Sequence, residues 1–263
     1  AASDVYKRQM PLSMAVRPVL HLNLSNTDCW SYAGRVSSDK QENIHDPQVA
    51  GDGTVTWDCV YFGHYLQEDT NGDGTVDSSD TKQPIKWRVL SVDGDDAFLM
   101  ADQGLDCQPY NETGISVTWE TCTLRSWLNG YDAFENAEEK DYSSNNFINT
   151  AFTAGERSVI NYSWVVNDDN PSYGTEGGNS TADKVYLLSI EEASTSAYGF
   201  NSEFAGYRLS ETREMGSTVY AEQRGASVGT STEYAGNGCW WLRSPGHNGY
   251  SASYVGYLSL IHI

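Results

Sequence analysis

The sequence predicts an α+β fold of short mixed or antiparallel strands, two or three short helices and long loops. Its 17 tyrosines, 8 tryptophans and 24 glycines in 263 residues favour many short strands over long helices. Apolar and aromatic runs recur between Gly-, Asn- and Asp-rich stretches. Strands and long helices do not alternate, which excludes a doubly wound parallel sheet. The length allows one large domain or two small ones, with a sizeable core either way.

The elements follow in chain order. Val19–Leu24 places Leu20, Leu22 and Leu24 on one face and reads as a strand. Pro18 lacks an N–H and belongs at that strand's start or on an edge. Ser25–Gly53 is polar and reads as a linker or exposed loop. Thr54–Leu66 (TVTWDCVYFGHYL) is a strand, rich in β-branched and aromatic residues. Pro84–Asp93 and Ala97–Ala101 form a hairpin around Gly94-Asp95-Asp96. Thr121–Leu128 is helical and stops at Asn129-Gly130. Asn146–Phe152 adds a short helix. Thr153-Ala154-Gly155-Glu156 is a capping box that opens Arg157–Ile160. Asn167–Asp183 is a loop and Lys184–Leu188 a strand. Ser189-Ile190-Glu191-Glu192 is a second capping box, with its acids at a helix N-terminus. Phe200–Asn237 has weak periodicity, with Tyr220–Arg224 its one helical stretch. Gly238–Tyr257 (GCWWLRSPGHNGYSASYVGY) closes the natural sequence. Cys239–Leu242 reads as a core strand and His247–Ser253 as the surface it presents.

The two ends read as sequencing artefact. Ala1–Gln9 (AASDVYKRQ) back-translates to an adapter and transposon end, and Leu258–Ile263 to its reverse complement. Both are set aside from fold reasoning. The natural part is then an open-ended fragment, Met10–Tyr257, whose signal peptide, if any, is not observable.

The net charge of −20 argues against nucleic acid and anionic membrane as partners, since both need a basic footprint. It suits solubility, cation binding or life outside the cell. No apolar run approaches a membrane span. Cys29, Cys59, Cys107, Cys122 and Cys239 form no C-x-x-C, so a zinc or redox motif is not expected. Cys107 and Cys122 flank a short loop, as a disulfide or as two buried thiols.

Residues 69–80 (DTNGDGTVDSSD) match an EF-hand-type calcium loop. Asp69, Asn71, Asp73, Asp77 and Asp80 place oxygens at positions one, three, five, nine and twelve. Gly74 at position six permits the sharp turn. Thr75 donates its backbone carbonyl, and Val76 points into the core. Ca²⁺ is a hard ion that takes six to eight oxygens, and this spacing wraps carboxylates around one point. Without metal, Asp69, Asp73, Asp77 and Asp80 repel one another. The Asp-ended form resembles the calcium loops of dockerin modules over these residues only, because the flanks differ. Cohesin binding therefore does not transfer. The expected role is structural, pinning the excursion from Leu66 to Pro84.

The combination of TWDCVYFGHYLQ, PIKWRVLSVDGDDAFLMADQGLDCQPYN, VTWETCTLRSWLN, FINTAF, DKVYLLSIEEA and CWWLRSPG over Trp57–Tyr257 resembles a bacterial family, domain of unknown function 6273. The resemblance implies a C-type-lectin-like fold, akin to the formylglycine-generating enzyme and to variable proteins of diversity-generating retroelements. It also implies a closing strand like GVRPALHLNL after Tyr257. That strand is missing there, while Ala15–Leu24 (AVRPVLHLNL) matches it. A tandem array explains both facts. Residues 10–34 are then the tail of a preceding repeat, 35–53 a linker, and 54–257 the next copy without its own closing strand. Val16–Leu24 is expected to fill the vacant slot near Trp240–Leu242.

The function expected is a non-catalytic, extracellular or cell-surface, adhesin- or lectin-like module of a bacterial protein. Its partner would be a glycan or a protein. Tyr, Ser, Gly and Asn dominate His247–Tyr257, a composition of adaptable recognition surfaces. The contacts expected are Arg243, His247, Asn248, Tyr250 and Tyr254; Trp240 and Trp241 divide between contact and core. A structural repeat in a surface stalk is the alternative. Catalysis is not expected: the formylglycine-generating relatives use a cysteine pair, and only Cys239 lies near this segment. No nucleophile elbow, phosphate loop or H-E-x-x-H is present.

Overall fold

The computed structural model describes residues 12–36, 44–202, 211–230, 235–256 and 259–262. Ala1–Gln9, part of the expected linker and Tyr257 lie outside them.

The chain opens with β1 (Ser13–Val16) and β2 (Val19–Asn23). Arg17-Pro18 divides them, and the Pro18 carbonyl accepts from Ala101 N–H at 2.9 Å. The stretch read as a linker contributes β3 (Ser31–Arg35) and β4 (Gln48–Val49). Thr54–Leu66 divides into β5 (Val55–Thr56) and β6 (Asp58–Tyr65). β7 (Gln83–Asp93) and β8 (Asp96–Ala101) form the expected hairpin, turning at Gly94, whose φ of 58° suits a residue without a Cβ. β9 (Asp106–Pro109) follows.

Three short helices come next. α1 (Thr123–Asn129) ends at left-handed Gly130, whose N–H donates to Ser126 O. α2 (Phe147–Ala151) is capped by Asn146, and α3 (Ala154–Ser158) by the reciprocal Thr153–Glu156 box. Four short strands lead back to the sheets: β10 (Ile160–Asn161), β11 (Ser163–Val165), β12 (Thr181–Asp183) and β13 (Val185–Tyr186). The second capping box is also made: Glu192 N–H donates to Ser189 Oγ, and Ser189 N–H to the Glu192 carboxylate. It opens a 3₁₀ turn, Glu192–Ser194. α4 (Val219–Gln223), β14 (Trp240–Pro245), β15 (Ala252–Gly256) and β16 (Ser259–His262) complete the order. β16 consists of residues that the sequence reading set aside as adapter.

Two sheets carry the fold. One runs β16-β15-β14-β1-β9, and the other β10-β2-β8-β7-β6-β3, with β13 also paired to β2. β11-β12 and β4-β5 are separate hairpins. The protein is thus α+β, mostly sheet with few helices. The first two strands serve different sheets. β1 lies parallel to β14, with Ala15 opposite Trp240, and antiparallel to β9. β2 enters the other sheet beside β8. Arg17 sits at the crossing, fully buried; its Nε donates to Ala101 O at 2.9 Å and its guanidinium lies 5.0 Å from the Trp240 ring. So of Val16–Leu24, only its first residue lies in a strand beside Trp240; the rest crosses to the second sheet.

The core is aromatic. Trp87, Trp119, Trp240, Phe62 and Phe147 are among its largest fully buried side chains. Phe152 packs on Phe62, with ring centroids 4.9 Å apart. Gly63 makes this approach possible: β6 shifts register between Tyr61 and His64, and Gly63 has φ of 69°. A Cβ there would stand 2.5 Å from Phe152 ring carbons and 2.9 Å from Ala151 O. Gly63→Ala combines overpacking with left-handed strain and is expected to cost about 2–5 kcal/mol in urea unfolding. A loss within about 0.5 kcal/mol, the range of an ordinary surface change, would contradict this packing.

None of the five cysteines is in a disulfide, and four of them are buried. Cys122 donates to Trp119 O at 3.4 Å rather than bonding Cys107.

Candidate functional site, a polar turn and an acidic loop

The turn between β14 and β15 presents the polar end of the sheet. Gly246 N–H donates to Ser251 O at 2.8 Å, and Ser251 N–H to Asn248 O at 3.1 Å. Asn248 Oδ1 accepts from Tyr250 N–H at 3.0 Å, the side-chain-to-backbone bond that favours Asn in turns. A third segment holds the turn from outside: Val117 N–H donates to Gly249 O at 3.0 Å. A Cβ at Gly249 would meet Ser116 Oγ at 2.2 Å. The backbone is therefore fixed while His247, Asn248 and Tyr250 stay exposed, Tyr250 at 63 %.

The loop before β12 adds a residue to this face. Asn170 is buried, and its Nδ2 donates to Pro245 O at 2.8 Å. Its Oδ1 accepts from Ser172 and Tyr173 N–H. This sets the half-exposed Tyr173 ring edge-on to His247, centroids 5.2 Å apart. Nothing in the local sequence of Asn170–Thr175 marks that approach; it depends on a residue 75 positions away.

Two expected contacts lie inside instead. Arg243 is 5 % exposed. Its guanidinium forms a two-pronged pair with Glu192, donates to Leu187 O at 2.8 Å and Val166 O at 3.1 Å, and lies 5.6 Å from the Tyr186 ring. Tyr254 is also buried, edge-on to Trp241, and burial pushes its phenol up to about 12. The reason is the same for both. Every residue of β14 is buried, so this strand is covered on both faces and alternation no longer separates inside from outside. Trp240 and Trp241 are core; their indole N–H groups donate to Arg213 O and Gln108 O. The structure thus gathers Tyr173, His247, Asn248 and Tyr250, and withdraws Arg243 and Tyr254.

The acidic loop is a closed ring of hydrogen bonds. Asp69 accepts from Gly72 and Gly74 N–H, each at 2.7 Å. Asp80 accepts from Thr70, Asn71 and Asp77 N–H at 2.7–3.1 Å. Asn71, Asp73 and Asp77 each accept from the N–H two residues on. Gly72 and Gly74 take φ of 78° and 93°, conformations that suit glycine. Backbone N–H groups hold the Asp77 and Asp80 carboxyls below the usual range. Val76 is buried, and its N–H donates to Gln223 Oε1 of α4 at 2.8 Å. The donors suit a hard cation in kind. Their carboxylates, however, turn onto loop N–H groups, and among the described residues no three His, Cys, Asp or Glu side chains are grouped to hold a metal.

Among the described residues no helix is long and apolar enough to cross a membrane. No curated protein and no solved structure matches the chain. One family model does match, described as "Domain of unknown function (DUF6273)", over residues 93–260. The match begins after the acidic loop and after Trp57, where the resemblance was drawn. It takes in all four α-helices and the whole β14–β15 turn, and on that span the chain belongs to the DUF6273 family.

Proposed function

We propose that this protein is a non-catalytic, extracellular ligand-binding module with a C-type-lectin-like fold, stabilised by calcium. The β14–β15 turn is its recognition face. The observation that carries the reading is the pairing of a rigid backbone with exposed adaptable side chains. His247, Asn248 and Tyr250 stand on a turn held from outside by two other segments, through Val117 and Asn170, and the second sets Tyr173 beside them. Preorganised aromatic and amide groups lose little entropy on binding. The partner is a glycan or a host protein; the net charge of −20 disfavours nucleic acid. Calcium enters through the spacing of Asp69, Asn71, Asp73, Thr75, Asp77 and Asp80, and through carboxyls that stay charged at neutral pH.

The test is a glycan-array and host-protein screen of the chain, with and without calcium. A hit is expected to weaken at least about tenfold in Tyr250→Ala, as for an aromatic anchor, with the melting temperature unchanged. A folded protein that binds nothing on either array would move the weight to a structural repeat of a surface stalk.

A further inference from the structure

A second surface, separate from the β14–β15 turn, has the form of a ligand cleft. Tyr162, Trp164 and Val166 occupy alternate positions along β11 and its flanks and are 69 %, 72 % and 47 % exposed. Strand alternation sets all three on one face. The other seven tryptophans are buried or half-buried. Trp164 pairs with Ala182 of β12. Directly opposed side chains on one face stand about 4.5–5.5 Å apart at Cβ. Ala182 in turn lines a cleft of about 390 Å³, together with Glu120, Arg125, Phe134, Glu135 and Ser180. Phe134 is 96 % exposed. Phe134 therefore lines a polar cleft that Trp164 adjoins through Ala182.

The cleft's one lining cation is already paired, and its carboxylates leave it net acidic. Arg125 Nε lies 2.8 Å from Asp183 and its Nη1 3.5 Å from Glu135, and its guanidinium lies over the Tyr131 ring. Glu120 accepts from Asn179 Nδ2 at 3.0 and 3.2 Å. An anionic ligand would have to displace a carboxylate from Arg125 and would meet the excess negative charge. A neutral ligand need not: carboxylate and hydroxyl oxygens keep acceptor capacity for further hydrogen bonds. Flat apolar rings beside such acceptors suit a molecule with apolar ring faces and a hydroxylated rim. We infer that the cleft lined by Phe134, together with the Trp164 ring that adjoins it through Ala182, binds a neutral oligosaccharide. The rings take its sugar faces, and Glu120, Glu135 and Ser180 take its hydroxyls. None of these residues belongs to the turn that carries His247 and Tyr250.

Trp164 makes the site directly readable, as the most exposed fluorophore of its kind. The full chain would be titrated with cellohexaose, xylohexaose, mannohexaose and chitohexaose, following tryptophan emission. At least one is expected to give a saturable shift. Trp164→Ala, read by calorimetry, and Phe134→Ala are each expected to weaken that binding at least about tenfold, the loss typical of an anchor ring. Their melting temperatures should match the parent, because both rings are exposed. Tyr250→Ala should leave this binding unchanged, which separates it from the recognition turn. No response to any of the four sugars would overturn the assignment, as would binding that survives Trp164→Ala. Concentration-dependent self-association abolished by Trp164→Ala would overturn it too, by giving this face to a second copy of the chain.

Discussion

Saturating calcium is expected to raise the melting temperature by about 5–10 °C, since a ligand at a hundred times its Kd adds about 2.7 kcal/mol and each kcal/mol moves a domain of this size by about 2–4 °C. Asp73→Ala is expected to abolish the rise. Asp73 spends one oxygen on Thr75 N–H and is exposed, so the variant should melt like the metal-free parent. Acid supplies a second reading. Asp77 and Asp80 are depressed by backbone N–H donors, so their charge is present above the ordinary carboxylate range and lost as pH falls through the folded values. The calcium increment should therefore persist at neutral pH and begin to fade only once pH falls below the ordinary carboxylate range of about 4. Identical melts in calcium and in EGTA would remove calcium from the proposal.

Glu192→Ala is expected to cost about 2–4 kcal/mol, somewhat less than a fully buried broken pair because Glu192 is partly exposed. Its carboxylate answers two demands at once: the Arg243 guanidinium and the Ser189 N–H. Removing it leaves a cation inside the protein with only carbonyl oxygens and a ring for company. Replacing both partners by methionine should cost less than Glu192→Ala alone, since no charge is then stranded. Urea unfolding of the three variants decides it. A loss under about 0.5 kcal/mol for Glu192→Ala would place the pair among ordinary surface ion pairs. The same geometry changes how binding variants are chosen. Arg243→Ala would lower binding by loosening β14, so Tyr250→Ala is the informative substitution.

Local chemistry that closes on itself was legible in the sequence. The β7–β8 turn at Gly94, the Thr153–Glu156 and Ser189–Glu192 boxes and the Gly130 stop each need only residues a few positions apart. Elements that exist because of distant partners were not. Asp106–Pro109 reads as polar and Pro-bounded, yet becomes β9 because β1 offers its edge. Ser31–Arg35 becomes β3 because β6 does. Of the proposed recognition face, His247, Asn248 and Tyr250 were visible as a turn-rich polar stretch. Tyr173 was not, because the Asn170–Pro245 bond brings it there. Tyr162, Trp164 and Val166 alternate, but an apolar alternating face ordinarily marks the side turned to the core, and nothing local shows that here it is bare.

The order β1-β14-β15 has a mechanical consequence. Ala15, Trp240 and Val255 lie in one lateral row, with β1 parallel and β15 antiparallel to β14. Polypeptide entering β1 passes the rim at Trp240, and so does the turn from β15 into β16; β16 then runs back along β15, which sets His262 beside Ser253 at the opposite rim. Pulled between Ser13 and His262, the sheet is loaded along its strands, so the hydrogen bonds of several ladders share the tension and yield together, where a pull from a single rim would part them one by one.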